Sequence, residues 1–254
     1  MKLNRIYCCA TVPLMCLSAY GGVSQQEREF LSKYNAIEMR SSCGNSFGAT
    51  GDHLLAQYGV SERRMGLLLV EQVEDCLRIE PPRASGTNDI IIGSLLKLQR
   101  YRVPEALPVA QSAFLDASDA FRPEALRAFY CCASNVEDVV GFVTNVWADV
   151  SDRAASRRLD CVMGLNRWIS ETCSPPVVDR QGLYEAVSNC AQSETRFPIA
   201  MRLDHALQNL SPSYSASSIR TNLVQRFMND TTAPVDPLYF RRQAESMGIY
   251  SEGQ

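Results

Sequence analysis

The sequence predicts an all-α protein, with antiparallel helical hairpins stacked as a short array between flanking helices. Three observations lead there. Apolar residues recur at spacings of three and four almost throughout, the period of one face of an α-helix. No alternation of strand-like and helix-like segments is present that could build a parallel sheet. Two stretches in the middle of the chain also overlay each other at a fixed offset, the signature of a structural repeat.

Residues 1–21 read as an export signal. Lys2 and Arg5 form a short basic start, and Ile6 to Leu17 an apolar stretch too short to span a membrane. Small residues follow through Gly22, so cleavage is expected after Ala19 or Gly21. Cys16 invites a lipid anchor, but Pro13-Leu14-Met15 before it is a poor match to the small-residue pattern such anchors use. Ser24 is placed to cap a polar helix running toward Met39, and a Gly- and Ser-rich loop follows from Ser41 to Gly51. Ser61 then caps a helix whose inner face carries Met65, Leu68, Leu69, Gln72, Val73 and Cys76. Glu80-Pro81-Pro82 ends this first module, 22–82, because proline cannot continue the helical hydrogen-bond ladder.

The central module, 83–172, contains the repeat. Val103–Tyr130 overlays Val136–Met163 at an offset of 33 residues. Asp116, Ser118, Asp119 and Leu126 fall on Asp149, Ser151, Asp152 and Leu159, and Ala113 and Phe114 fall on Val146 and Trp147. The shared rhythm is a helix, a tight Ser-Asp cap and another helix. Each such hairpin must bury its open face against the next. The stretches beginning at Asp119 and Asp152 resemble first helices of HEAT-like repeats, and Asn135-Val-Glu-Asp-Val-Val-Gly-Phe-Val resembles a second helix. The resemblance covers roughly 85–170 and departs from the family in its shorter period and its cysteines. It implies an α-solenoid whose second helices line a partner-binding face. By that analogy Gln111, Ser112 and Asp116 would stack against Thr144, Asn145 and Asp149; the competing reading gives the two aspartates to backbone donors in the turns. Beyond Cys173-Ser174-Pro175-Pro176 the sequence repeat is lost, and the segment 173–254 is expected to hold helices at 179–192, 197–210, 216–229 and 236–247.

Composition narrows the function. The whole chain carries a formal charge of −3, and removing the signal takes away Lys2 and Arg5 and no acidic residue. No Lys/Arg block supplies the positive face a nucleic-acid binder needs; Arg63-Arg64 and Arg157-Arg158 read as pairs on solvated helix faces. Beyond the signal the cysteines are Cys43, Cys76, Cys131, Cys132, Cys161, Cys173 and Cys190, with no CxxC pattern for zinc. For an exported chain they predict two or three disulfides among Cys43, Cys76, Cys132, Cys161, Cys173 and Cys190, with one thiol left over. Cys43 with Cys76 is the favoured local pair, and the remaining connectivity is open.

Catalytic motifs are thin. Gly44-Asn45-Ser46-Phe47-Gly48 fits the GxSxG pattern of serine hydrolases, which needs a strand before it and a histidine held by a carboxylate. The residues before it read as helix, and the available bases are His205 beside Asp204 or His53 beside Asp52. Neighbours on a helix point in different directions, so neither pair is a ready dyad. Cys43 with His53 suggests a thiol nucleophile, but a disulfide accounts for that cysteine better. Glu137-Asp138 and Glu74-Asp75 suit helix starts and exposed faces. Phe114, Phe129, Tyr130, Phe142, Trp147 and Trp168 lie on apolar stripes suited to core packing. The expectation is therefore a periplasmic or secreted, non-enzymatic protein, without cofactor or metal, that binds a protein partner through Gln111, Asp116, Asn145 and Asp149. The alternative is a serine hydrolase using Ser46 with His205.

Overall fold

The computed structural model describes residues 23–41, 52–116, 118–170, 180–229 and 238–249. The expected export signal, the Ser46 loop, Cys43 and Cys173 lie outside these residues. Among the described residues the secondary structure is helical, without a strand. The helices are α1 Gln25–Ser41, α2 Asp52–Tyr58, α3 Glu62–Leu77, α4 Ser85–Tyr101, α5 Ala106–Phe114, α6 Arg122–Cys132, α7 Val136–Ala148, α8 Ala154–Ser170, α9 Arg180–Ser193, α10 Phe197–Leu210, α11 Ser218–Phe227 and α12 Tyr239–Ser246. The four C-terminal helices fall close to the segments the sequence predicts; α2 is an addition.

Short polar side chains start these helices by accepting hydrogen bonds from otherwise unpartnered backbone N–H groups. Ser24 and Glu27 form a reciprocal box: Glu27 N–H donates to Ser24 Oγ at 3.2 Å, and Ser24 N–H donates to the Glu27 carboxylate at 2.8 Å. Ser61 accepts from Arg64 N–H at 3.1 Å, and Asn135 from Asp138 N–H at 2.8 Å. Pro123 and Pro198 occupy the first turns of α6 and α10, where no N–H is needed. Arg102 ends α4 in the left-handed region, φ 48°, with its N–H donating to Leu98 O at 2.9 Å.

Consecutive helices pack as pairs: α3 with α4, α5 with α6, α7 with α8, α9 with α10, and α11 with α12. Alternate helices pack as well. α4, α6, α8 and α10 follow one another in one row; α3 with α5, and α7 with α9 and α11, form the other. Phe114 on α5 meets Phe142 on α7 edge-on at 5.2 Å, which closes that second row. The pairing runs across residue 82 and continues past residue 172, although the sequence repeat does not.

The core lies between the rows. Phe142 is 1% exposed, stacks on Phe129 at 4.2 Å and meets Tyr130 edge-on at 6.0 Å. Glycine sets the helix spacing at two points. A Cβ on Gly66 of α3 would stand 2.6 Å from Val103, and one on Gly164 of α8 would stand 2.7 Å from Tyr130 and 2.8 Å from Leu126 of α6.

Candidate functional site

The most developed polar arrangement is a seam along the C-terminal ends of α3, α5, α7 and α9. A helix end leaves carbonyl oxygens without partners inside the helix, and a cation there also answers the macrodipole. Arg83, just before α4, donates to Cys76 O at 3.1 Å and Leu77 O at 3.0 Å at the end of α3. Its other edge grips both Asp116 oxygens at 2.9 Å, just beyond α5. The Arg83 side chain is 3% exposed.

The next step repeats this arrangement one helix along. Arg157 of α8 donates to Leu115 O at 2.8 Å and Asp116 O at 3.0 Å at the end of α5, and to the Asp149 carboxylate at 2.6 Å beyond α7. Arg158 then takes Trp147 O at 3.0 Å and Asp149 O at 3.2 Å at the end of α7, and faces Glu194 beyond α9 at 4.0 Å. Arg226 of α11 completes the series on Ala191 O at 2.6 Å and Gln192 O at 2.7 Å. Each acid also turns back on its own chain. Asp116 accepts from Ser118 N–H, Asp149 from Ser151 N–H, and Glu194 from Thr195 and Arg196 N–H, all at 2.8–2.9 Å. Burial alone would raise the Asp149 carboxyl; the hydrogen bonds from Arg157 and Ser151 overcome it and hold the group down at about 2.

This geometry corrects two expectations. Arg157-Arg158 is not a solvated pair: Arg157 is 6% exposed, and both arginines bind helix ends. Asp116 and Asp149 do not stand in a surface ladder either, because both are engaged by buried arginines. Of that ladder Asn145 is exposed and Gln111 half-buried, beside exposed Ser112 and Thr144 on the outer faces of α5 and α7. Arg63 and Arg64 also differ from each other. Arg63 is exposed and pairs with Glu105, whereas Arg64 pairs with Glu27 at 2.6 Å and Glu71 at 3.2 Å.

The cysteine expectation is also corrected in part. Cys132, Cys161 and Cys190 stand as thiols, on α6, α8 and α9. Cys132 donates to Leu98 O at 3.6 Å, and Tyr130 O–H donates to Cys161 O at 3.1 Å. Burial pushes the thiols of Cys132 and Cys190 up to about 12, and that of Cys161 well up, the opposite of what a nucleophilic thiolate requires. Cys76 is buried at the end of α3, and its expected partner Cys43 lies outside the described residues.

Of the residues considered for hydrolysis, Ser46 lies outside the described residues, and the structure places Asp204, His205 and His53. Asp204 is fully buried and accepts from Tyr214 O–H at 2.8 Å, Tyr239 O–H at 2.6 Å and Gln208 Nε2 at 2.6 Å. It ties α10 to α12 and to the turn at Pro212–Ala216. His205 beside it is half-buried against the Tyr239 ring at 5.2 Å, and desolvation lowers its pKa. His53 is exposed on α2. A shallow hollow of about 340 Å³ lies on the seam, lined by Leu115, Ser151, Asp152, Arg153 and Arg157. Its arginine floor is already bound to protein groups.

Among the described residues no three His, Cys, Asp or Glu side chains converge as a metal site, and no helix is long and apolar enough to cross a membrane. Compared with known proteins, the chain matches no family model, no curated protein and no solved structure. Its reading therefore rests on the two rows of helices and the arginine seam.

Proposed function

We propose that this is an exported, non-catalytic helical scaffold that binds a protein partner through the outer faces of α5 and α7. The observation that carries the reading is the seam. It fixes successive helix ends to one another with buried charged hydrogen bonds, which favours a preorganised extended surface over a single pocket. The helix pairs in two rows support a HEAT-like array, in which binding by one face is the usual use. On α5 and α7 that face carries Ser112, Thr144 and Asn145, with Gln111 at its edge. These short side chains lose little entropy on contact and adapt their hydrogen bonds to a partner.

The test is a cross-linked pull-down of the processed protein from its own cell envelope, read by mass spectrometry. The expected result is a stoichiometric protein partner whose recovery falls at least tenfold in the Ser112→Arg, Asn145→Arg double variant, with the fold intact by circular dichroism. Equal recovery from the variant contradicts the assigned face; recovery of no partner contradicts the reading itself.

A further inference from the structure

We propose that α12 is a releasable latch, seated by one aromatic anchor over a charged pair that closes on itself when the helix leaves. The anchor is Phe240, fully buried, stacked on Phe227 of α11 at 5.5 Å and edge-on to Phe197 of α10 at 5.2 Å. One turn on, Ala244 is also fully buried, and beyond it Met247 and Ile249 are half-buried. The rest of the grip is polar. Tyr239 O–H donates to Asp204 at 2.6 Å, and Arg220 of α11 donates to Gln243 Oε1 at 2.5 Å. Burial, and then the Asp204 charge, push the Tyr239 phenol up, so it stays a donor.

This polar grip has a second arrangement within reach. Arg220 Nε is buried without a hydrogen-bond partner and stands 3.7 Å from Asp204 Oδ1, just too far to bond. When α12 leaves, Tyr239 and Gln243 go together: Asp204 loses one donor and Arg220 loses one acceptor. The two groups left behind carry opposite charges and face each other, so a charged hydrogen bond between them replaces the two that break. The network therefore adds little to the hold on α12, and Phe240 decides it. The neighbours stay in place. Tyr214 and Gln208 still donate to Asp204, and Arg226 keeps α11 on the α9 carbonyls of Ala191 and Gln192. Release uncovers Phe197 and Phe227 where α10 and α11 end the two rows. Seated, the latch shields that last apolar surface, as the terminal unit of a stacked array must.

Native-state hydrogen exchange on the full chain tests the latch, together with the nuclear magnetic resonance signal of the Arg220 Nε–H. Phe240→Ala should lower protection across α12 by about tenfold or more while α8 and α10 stay close to the parent. Tyr239→Phe should lower it by less than about threefold, because Arg220 takes the place of Tyr239 on Asp204. In both variants the Arg220 Nε–H proton signal should move downfield as its new hydrogen bond forms. A smaller loss in Phe240→Ala, or one that α10 shares, overturns the latch. A larger loss in Tyr239→Phe, or an Arg220 signal that stays where it is in the parent, overturns the exchange of partners beneath it and the latch with it.

Discussion

Asp116 and Asp149 occupy the same point at the ends of α5 and α7, and each holds a buried arginine that also clasps the helix end before it. Arg83 reaches Asp116 at 2.9 Å and Arg157 reaches Asp149 at 2.6 Å. A guanidinium taken from water is tolerated when charged or carbonyl oxygens meet it. Arg83 finds them with Nε and both terminal nitrogens. Arg157 finds them with its two terminal nitrogens, while its Nε is buried without a hydrogen-bond partner. Each aspartate supplies the charge while the preceding helix supplies the carbonyls.

Removing one member of such a pair leaves the other buried and uncompensated. Arg157→Ala is expected to destabilise the fold by about 3–5 kcal/mol, measured by urea unfolding. Exposed Arg127→Ala should change stability by less than about 0.5 kcal/mol.

Phe142 packs on Phe114, Phe129 and Tyr130 at the meeting of α5, α6 and α7. Phe142→Ala should cost about 3–5 kcal/mol through lost burial and a residual cavity. The same urea midpoint measures it, with an unchanged slope if the native state stays compact.

Acid should loosen both the seam and the N-terminal helix. The carboxyls of Asp149 and Glu27 are both held at about 2; for Glu27 the leading cause is the Arg64 hydrogen bond. A carboxyl with a depressed folded pKa adds stability that is fully present above its unfolded pKa and is lost as pH falls through the folded value. Stability should therefore decline from about pH 5 toward pH 2, and Asp149→Asn should flatten part of that decline. A thermal melt at each pH provides the measurement.

Cys132, Cys161 and Cys190 are buried in apolar surroundings with raised pKa values, so a thiol reagent should reach them only after unfolding. Alkylation and peptide mapping at neutral pH is expected to leave all three unmodified in the folded protein and all three modified in denaturant. Mapping them as disulfides instead would contradict the thiol arrangement seen here.

The helical class was legible because its period is a local property, and the starts at Ser24 and Ser61 follow from single capping residues. The matching ends of α5 and α7 were legible where Asp-x-Ser recurs, at Asp116 and Asp149. The arginines that answer those aspartates were not, since Arg83 lies 33 residues before Asp116 and Arg157 binds carbonyls 41 and 42 residues before it. Sequence also marked Arg157-Arg158 as polar surface, because charge alone does not reveal which helix end a side chain reaches. The packing continues through α9–α12 after the repeat fades, since burial by matching faces needs apolar periodicity and not identity. α2 was missed because its seven residues are too short to display a period.

The seam couples successive helices into one row, and native-state hydrogen exchange of Arg157→Ala measures that coupling. Protection is expected to fall in the last turns of both α5 and α7 and in their partners α6 and α8, while α1 remains close to the parent. Loss confined to the first turn of α8, with α5 and α7 as protected as before, would contradict it.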